Sequence, residues 1–150
     1  RTGSKSAALA TLLLDAGKGG IAVLLARYFV GEDAAQLAGL AAFIGHIFPV
    51  WLNFNGGKGV ATYLGTLLAL SFAAGFAACM TWLAFALLFR ISSLAALAAA
   101  ALMPLWLHLL GLPDYVMLAA LLGALIWMRH AGNIRRILSG TEKKIQLKKG

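Results

Sequence analysis

The sequence predicts an all-α, polytopic transmembrane helical bundle of about six spans, and three observations carry that prediction. The chain is 61% hydrophobic and only 12% charged, far more apolar than an average soluble domain. Its apolar stretches are long enough to cross a hydrocarbon core of about 30 Å. In lipid such stretches close their backbone hydrogen bonds internally as helices. Finally, most of its Lys and Arg can be gathered on one membrane face, as the positive-inside tendency requires.

The elements follow in order. Leu9 to Val30 is the first span, interrupted by Asp15 and Lys18, and Gly31-Glu32-Asp33 reads as a short acidic turn. Ala34 to about Leu52 is the second span and carries His46 and Pro49. Val60 to Phe89 is about 30 apolar residues, either one steep helix or two short ones with a turn marked by Ser71 and Gly75. Ile91 to Leu110 is the next span, stopped by Gly111-Leu112-Pro113-Asp114, a sound helix stop and turn signal. Tyr115 to Met128 closes the set before a basic tail from Arg129 to Gly150.

Charge decides the ambiguous middle. With two helices in Val60–Phe89, every Lys and Arg except Lys18 and Arg27 shares one side, and Glu32, Asp33 and Asp114 fall on the other. One helix would set Arg90 and the tail opposite Lys58, against the positive-inside tendency. Six spans is therefore the expectation, with both termini, the Lys58 turn and Arg90 facing the cytoplasm. The net charge of +8 then reflects cytoplasmic loops and anionic lipid rather than nucleic acid. Cys79 is the one cysteine, which leaves no disulfide framework or metal cluster to expect. No signal peptide is visible. The chain starts at Arg1 without methionine and reads as a piece that has lost an upstream segment. The expected organisation is a single integral-membrane domain over 1–150, shortened at its N-terminus, with a cytoplasmic basic helix and tail over 129–150.

Between the second and third spans lies Asn53-Phe54-Asn55-Gly56-Gly57-Lys58-Gly59-Val60-Ala61-Thr62. Glycines around Lys58 let the backbone turn sharply and bring its N–H groups close to a ligand. The apolar run after Gly59 places those groups at the start of a helix, where a neighbouring lysine makes an anion site. It is not a P-loop, because Leu52 and Gly59 stand where that motif needs Gly and Ser or Thr. The competing reading is a tight membrane turn whose lysine marks the cytoplasmic side.

In the tail, a helix continuing out of the membrane sets Arg129, Asn133, Arg136 and Gly140 on one face, with His130 at its border. A basic helix lying on anionic lipid is the plain alternative. Lipid asks only for charge, however, and not for Asn133, His130 and Glu142 among the arginines, which favours a site. Asp15 and Lys18 share a helix face inside the first span, either as a functional pair or as a mutually neutralising one. His46 reads as a partner for a neighbouring helix, and Arg90 with Ser92 and Ser93 as a capped helix boundary. His108 reads as interfacial. No nucleophile sits beside a histidine and an acid, and no carboxylate–histidine cluster supports a metal. Neither His130 nor His108 has an aspartate at the spacing of the acyl-CoA-dependent glycerolipid acyltransferases.

Three stretches together carry a resemblance. Gly45-His46-Ile47-Phe48-Pro49 through Asn53-Phe54-Asn55-Gly56-Gly57-Lys58-Gly59-Val60-Ala61-Thr62 resembles the central motif of the acyl-phosphate-dependent glycerol-3-phosphate acyltransferases, the bacterial PlsY-type membrane enzymes. Arg129-His130 through Glu142 is similar to that family's C-terminal motif, and Asp15-Ala16-Gly17-Lys18-Gly19 to its intramembrane Asp and Lys-Gly pattern. The resemblance implies a seven-helix bacterial inner-membrane enzyme that makes lysophosphatidic acid, with its active site facing the cytoplasm. The family also has a first helix and a Ser-Gly-Asn…Asn-x-x-Arg motif. Only Arg1-Thr2-Gly3 resembles the end of that motif here, which makes Arg1 the counterpart of a phosphate-contacting arginine and the chain, as it stands, an incomplete enzyme.

The implied partners are acyl phosphate and glycerol 3-phosphate within membrane lipid, with no cofactor, no nucleic acid and no obligate protein partner. On this reading the Gly56, Gly57 and Gly59 amides with Lys58 hold one phosphate, and Arg1, Arg129, Asn133 and Arg136 hold the other. Lys58 stabilises developing charge, and His130 or, preferably, a substrate phosphate oxygen takes the hydroxyl proton. Asp15, Lys18, His46 and Glu142 support the site. A small transporter or channel for organic phosphates is the alternative, weakened by the lack of duplicated halves. A purely structural lipid-associated bundle is a second alternative, and it leaves the glycine turn and Asn133 unexplained.

Overall fold

The computed structural model describes residues 4–146. Its helices are α1 (Lys5–Phe29), α2 (Glu32–Ile47), α3 (Val60–Leu70), α4 (Phe72–Phe89), α5 (Ser92–Leu109), α6 (Val116–Arg129) and α7 (Ala131–Leu138), so the architecture is all-α as expected. Among the described residues four helices are long and apolar enough to cross a membrane, and a fifth span arises if α6 and α7, bent by 63°, count as one. The segment expected to hold two spans does break, at an extended Ser71 (φ −149°, ψ 120°). It divides unequally: α3 has 11 residues, which makes it about 16 Å long, half of a hydrocarbon core of about 30 Å. A side-chain carbon on Gly75 would collide with the Leu68 backbone, so the first turn after Ser71 lies close against the end of α3. Glu32 and Asp33, expected in a turn, form the first turn of α2 instead, where their charge suits the helix dipole.

Two compact units divide between residues 75 and 76. In the first, α1 packs on both α2 and α3. The α1–α3 crossing is built from small residues, as close approach in lipid requires. Gly19 stands against Thr62 and Thr66, Gly20 lies against the Gly65 carbonyl, and Gly65 touches the Ala16 backbone. At the far end Arg27 donates through Nη1 to Ala69 O (2.6 Å) and through Nη2 to Leu70 O (2.9 Å), covering the carbonyl end of α3. Its Nε and Nη2 also pair with Glu32 at 2.7 and 2.8 Å. These contacts make α1 and α3 parallel and set Thr62–Thr66 level with Ala16–Gly20, so α3 begins well inside α1. Lys5 to Leu14 therefore extend past it, and every one of these residues is exposed. Gly65→Ala should push a methyl into the Ala16 backbone and destabilise the unit by about 1–3 kcal/mol. Thermal unfolding in detergent measures this, and a variant as stable as the parent means that the crossing relaxes.

In the second unit α5 packs along α6. The buried residues of α5 are mainly Ala95, Ala96, Ala99, Ala100 and Met103, and those of α6 are Leu118, Ala119, Leu122 and Ile126. Gly123 keeps the two backbones close at Ala100. Trp106 Nε1 donates to Thr81 Oγ1 at 3.0 Å, tying α5 to α4.

Candidate active site

The α2–α3 connection is shaped by its glycines and by the end of α2. After Pro49 a single 3-10 turn (Val50–Leu52) leads to Asn53 and Phe54, both at positive φ (48° and 62°). Gly56 lies on the His46 and Ile47 carbonyls, where a side-chain carbon has no room. Gly57 lies against the His46 ring, and Gly59 against the Phe43 ring. Gly59 also holds φ +82° as the residue preceding α3, a conformation that suits glycine. The N-cap Gly59 brings no side chain to cap the first turn of α3, so its leading N–H groups and positive dipole end suit an anion. Lys58 is exposed beside them. The turn therefore opens a helix as the sequence predicts.

The intramembrane pair is joined to this turn. Lys18 Nζ lies 2.7 Å from Asp15 Oδ1 and 2.5 Å from His46 Nδ1, and Asp15 Oδ1 is 3.4 Å from the same ring nitrogen. Lys18, Ala42, Gly45, His46 and Trp51 line a recess of about 250 Å³. Asp15, Lys18 and His46, read separately in the sequence, thus form one cluster directly under Gly57.

In the second unit the polar centre is Glu142. Its Oε1 accepts from Ser93 Oγ (2.7 Å) and Asn133 Nδ2 (2.5 Å), and its Oε2 from Arg136 Nε (2.6 Å). Removal from water alone would raise the carboxyl's pKa. The hydrogen bonds from Ser93, Asn133 and Arg136, with the Arg136 charge, outweigh that effect and hold it down at about 2. Ile145 N donates to Arg90 O (2.6 Å) and Arg90 Nη2 to Ile145 O (3.1 Å), so the tail is stitched to the α4–α5 corner. His130 is buried, 2% exposed. Its Nδ1 lies 2.8 Å from Ile126 O. A carbonyl only accepts, so Nδ1 carries a proton and donates it there.

Three expectations need correction. Arg129, Asn133, Arg136 and Gly140 do not line one helix face: Arg129 ends α6, the chain bends at His130, Asn133 and Arg136 belong to α7, and Gly140 lies beyond it at φ +71°. His130 does not border a polar face but is enclosed. Ser92 and Ser93 do not cap α5, whose N-cap is Ile91 with no side-chain bond, and Ser93 instead serves Glu142. Arg1 lies outside the described residues. The sequence reading missed Arg27 and Ser93. Arg27 stood next to an acidic pair at a span end, which was a usable signal, whereas nothing local singled out Ser93.

Comparison with known proteins points one way. A family model described as glycerol-3-phosphate acyltransferase matches residues 1–140. The chain is 64% identical over 145 residues to a glycerol-3-phosphate acyltransferase of Jannaschia sp., covering 97% of this chain and 71% of that one. To the Dinoroseobacter shibae protein of the same name it is 62% identical over 149 residues, covering 99% and 73%. It is also similar to the crystal structure of PlsY, an integral membrane glycerol 3-phosphate acyltransferase, in its glycerol 3-phosphate form: TM-score 0.89, 37% identity, 95% of this chain and 72% of that one. The lysophosphatidic acid form of PlsY matches with the same score and identity over 95% and 74%.

Proposed function

The chain belongs to the glycerol-3-phosphate acyltransferase family, and from that premise we propose that it moves a fatty acyl group from acyl phosphate to the 1-hydroxyl of glycerol 3-phosphate. The products are lysophosphatidic acid and inorganic phosphate. The observation that carries this reading is the α2–α3 turn, where a helix start with glycine at its N-cap, glycines pressed flat on α2 and an exposed lysine meet. Both substrates bear phosphate, and this is what such a turn receives. Lys58 with the Gly56, Gly57 and Gly59 amides holds one phosphate. Arg129, Asn133 and Arg136, with Arg1, hold the other, and Glu142 fixes the last two described members from behind. The gathering of Lys and Arg supports a position of these groups on the cytoplasmic side of a bacterial inner membrane.

Acyl phosphate is already activated, so no enzyme nucleophile is needed. The glycerol hydroxyl oxygen attacks the carbonyl carbon, the carbon–oxygen bond to phosphate breaks, and phosphate departs with the bonding pair. Holding the hydroxyl against the carbonyl supplies several kcal/mol by proximity, and the cations meet the charge that develops. The hydroxyl proton passes to a substrate phosphate oxygen. The burial of His130, only 2% exposed, supports that route over the histidine. His130→Ala should then lower turnover by less than about 10²-fold, and a larger loss with binding intact makes the histidine the general base.

The reading is tested by giving proteoliposomes of the protein palmitoyl phosphate and glycerol 3-phosphate and measuring lysophosphatidic acid and released phosphate. Equal use of palmitoyl-CoA overturns the donor. Flux of labelled glycerol 3-phosphate without donor, and no acyl transfer, indicates a transporter instead.

A further inference from the structure

Asp15 and Lys18 are ionisable groups inside α1, in a setting where such groups are costly, and acyl transfer by proximity gives neither a chemical task. Their contacts do. The Lys18 ammonium stands between Asp15 Oδ1 and His46 Nδ1. An ammonium only donates, so Nδ1 accepts and the neutral ring carries its proton on Nε2. Nε2 is the atom closest to where a side-chain carbon on Gly57 would stand, one residue before Lys58. The ring oriented by Lys18 therefore braces the loop.

From this geometry we infer that Lys18 is a positioning residue: anchored by Asp15, it fixes the tautomer and tilt of His46, and His46 keeps the Gly56–Gly59 loop in the form that receives phosphate. The inference rests on the acyl-transfer reading and adds to it a residue that touches neither substrate. It also explains why Gly57 lies flat on an imidazole, since the ring supports the turn without filling the place of the anion. A pair that merely neutralises itself has no need of His46.

Lys18→Met removes the donor at similar length, whereas Lys18→Arg keeps one that stays charged. In proteoliposomes with palmitoyl phosphate and glycerol 3-phosphate, Lys18→Met is expected to raise by about tenfold the KM of whichever substrate Lys58→Ala also weakens, the size of one lost hydrogen bond. kcat should stay within about threefold, the signature of lost ground-state binding. Lys18→Arg should restore most of the affinity. His46→Ala should raise the same KM, and adding Lys18→Met to it should change little more, because both act through one contact. If Lys18→Met gives too little folded protein, the Asp15→Asn, Lys18→Met double variant leaves no lone charge in the helix and carries the same readout. An unchanged KM, a loss confined to kcat, or additive effects of Lys18 and His46 overturn the inference even where Lys58→Ala is impaired. A parent protein without acyl transfer overturns the functional reading itself.

Discussion

Lys58→Ala should lower kcat/KM by about 10- to 150-fold, the equivalent of losing one charge-assisted hydrogen bond of about 1.5–3 kcal/mol. The exposed position of Lys58 means that no core packing is lost with it, so the folded fraction and thermal stability should match the parent. That separation makes the variant decisive. Lys58→Arg should recover only part of the loss, because a planar fork replaces a compact ammonium beside a tight glycine turn. Steady-state kinetics with each substrate varied in turn give the split between KM and kcat. If acyl transfer proceeds undiminished in Lys58→Ala, the phosphate assignment of the α2–α3 turn is wrong.

Glu142→Ala should act on folding and activity together. Its side chain is only 9% accessible, and it is the shared acceptor for Ser93, Asn133 and Arg136. Removing one member of a buried charged network costs about 3–5 kcal/mol. The low end applies here, because Arg136 is about half exposed (48%) and regains water. Even about 3 kcal/mol is a large part of a typical net stability of 5–15 kcal/mol.

The same residue gives a pH prediction with a definite sign. Its carboxyl sits at about 2 in the fold against an ordinary 4.5. The stabilisation is therefore fully present above pH 4.5 and is lost as pH falls from there through about 2. Unfolding midpoints measured between neutrality and pH 3 should fall more steeply in the parent than in Glu142→Gln, which has no charge to lose. Parallel curves exclude Glu142 as the acid-sensitive link.

Much of this fold was legible because lipid restricts the options. Long apolar runs must be helices, and the charge balance located the break within Val60–Phe89 that Ser71 makes. The glycine turn was legible for a local reason: Gly59 at positive φ and Gly56 and Gly57 under α2 are demands that neighbours in sequence reveal. What sequence spacing could not reveal was contact between distant segments. The period of the polar residues runs on through His130 and so predicted one helix, whereas the chain bends there. Ser93 looked like a cap because capping is what a serine at a helix start usually does, and its partner Glu142 is 49 residues away. Asp15, Lys18 and His46 were each visible as polar groups among apolar ones. Their union depends on how far α2 travels back along α1, which no local pattern encodes.

That length mismatch has a consequence for substrate traffic. Thr62–Thr66 of α3 lie level with Ala16–Gly20, whereas α1 begins at Lys5, so α1 runs about 10 residues or about 15 Å past the start of α3. On the proposed acyl-transfer reading, and with the start of α1 at the membrane surface, the ester bond should form at the depth of the first acyl carbons and not among the headgroups. On that reading the lipid donor would reach this level by sliding sideways, while the water-soluble acceptor would have to descend. Bilayer thickness then becomes a rate variable: turnover should track lipid chain length even when acyl donor and acceptor concentrations are held constant.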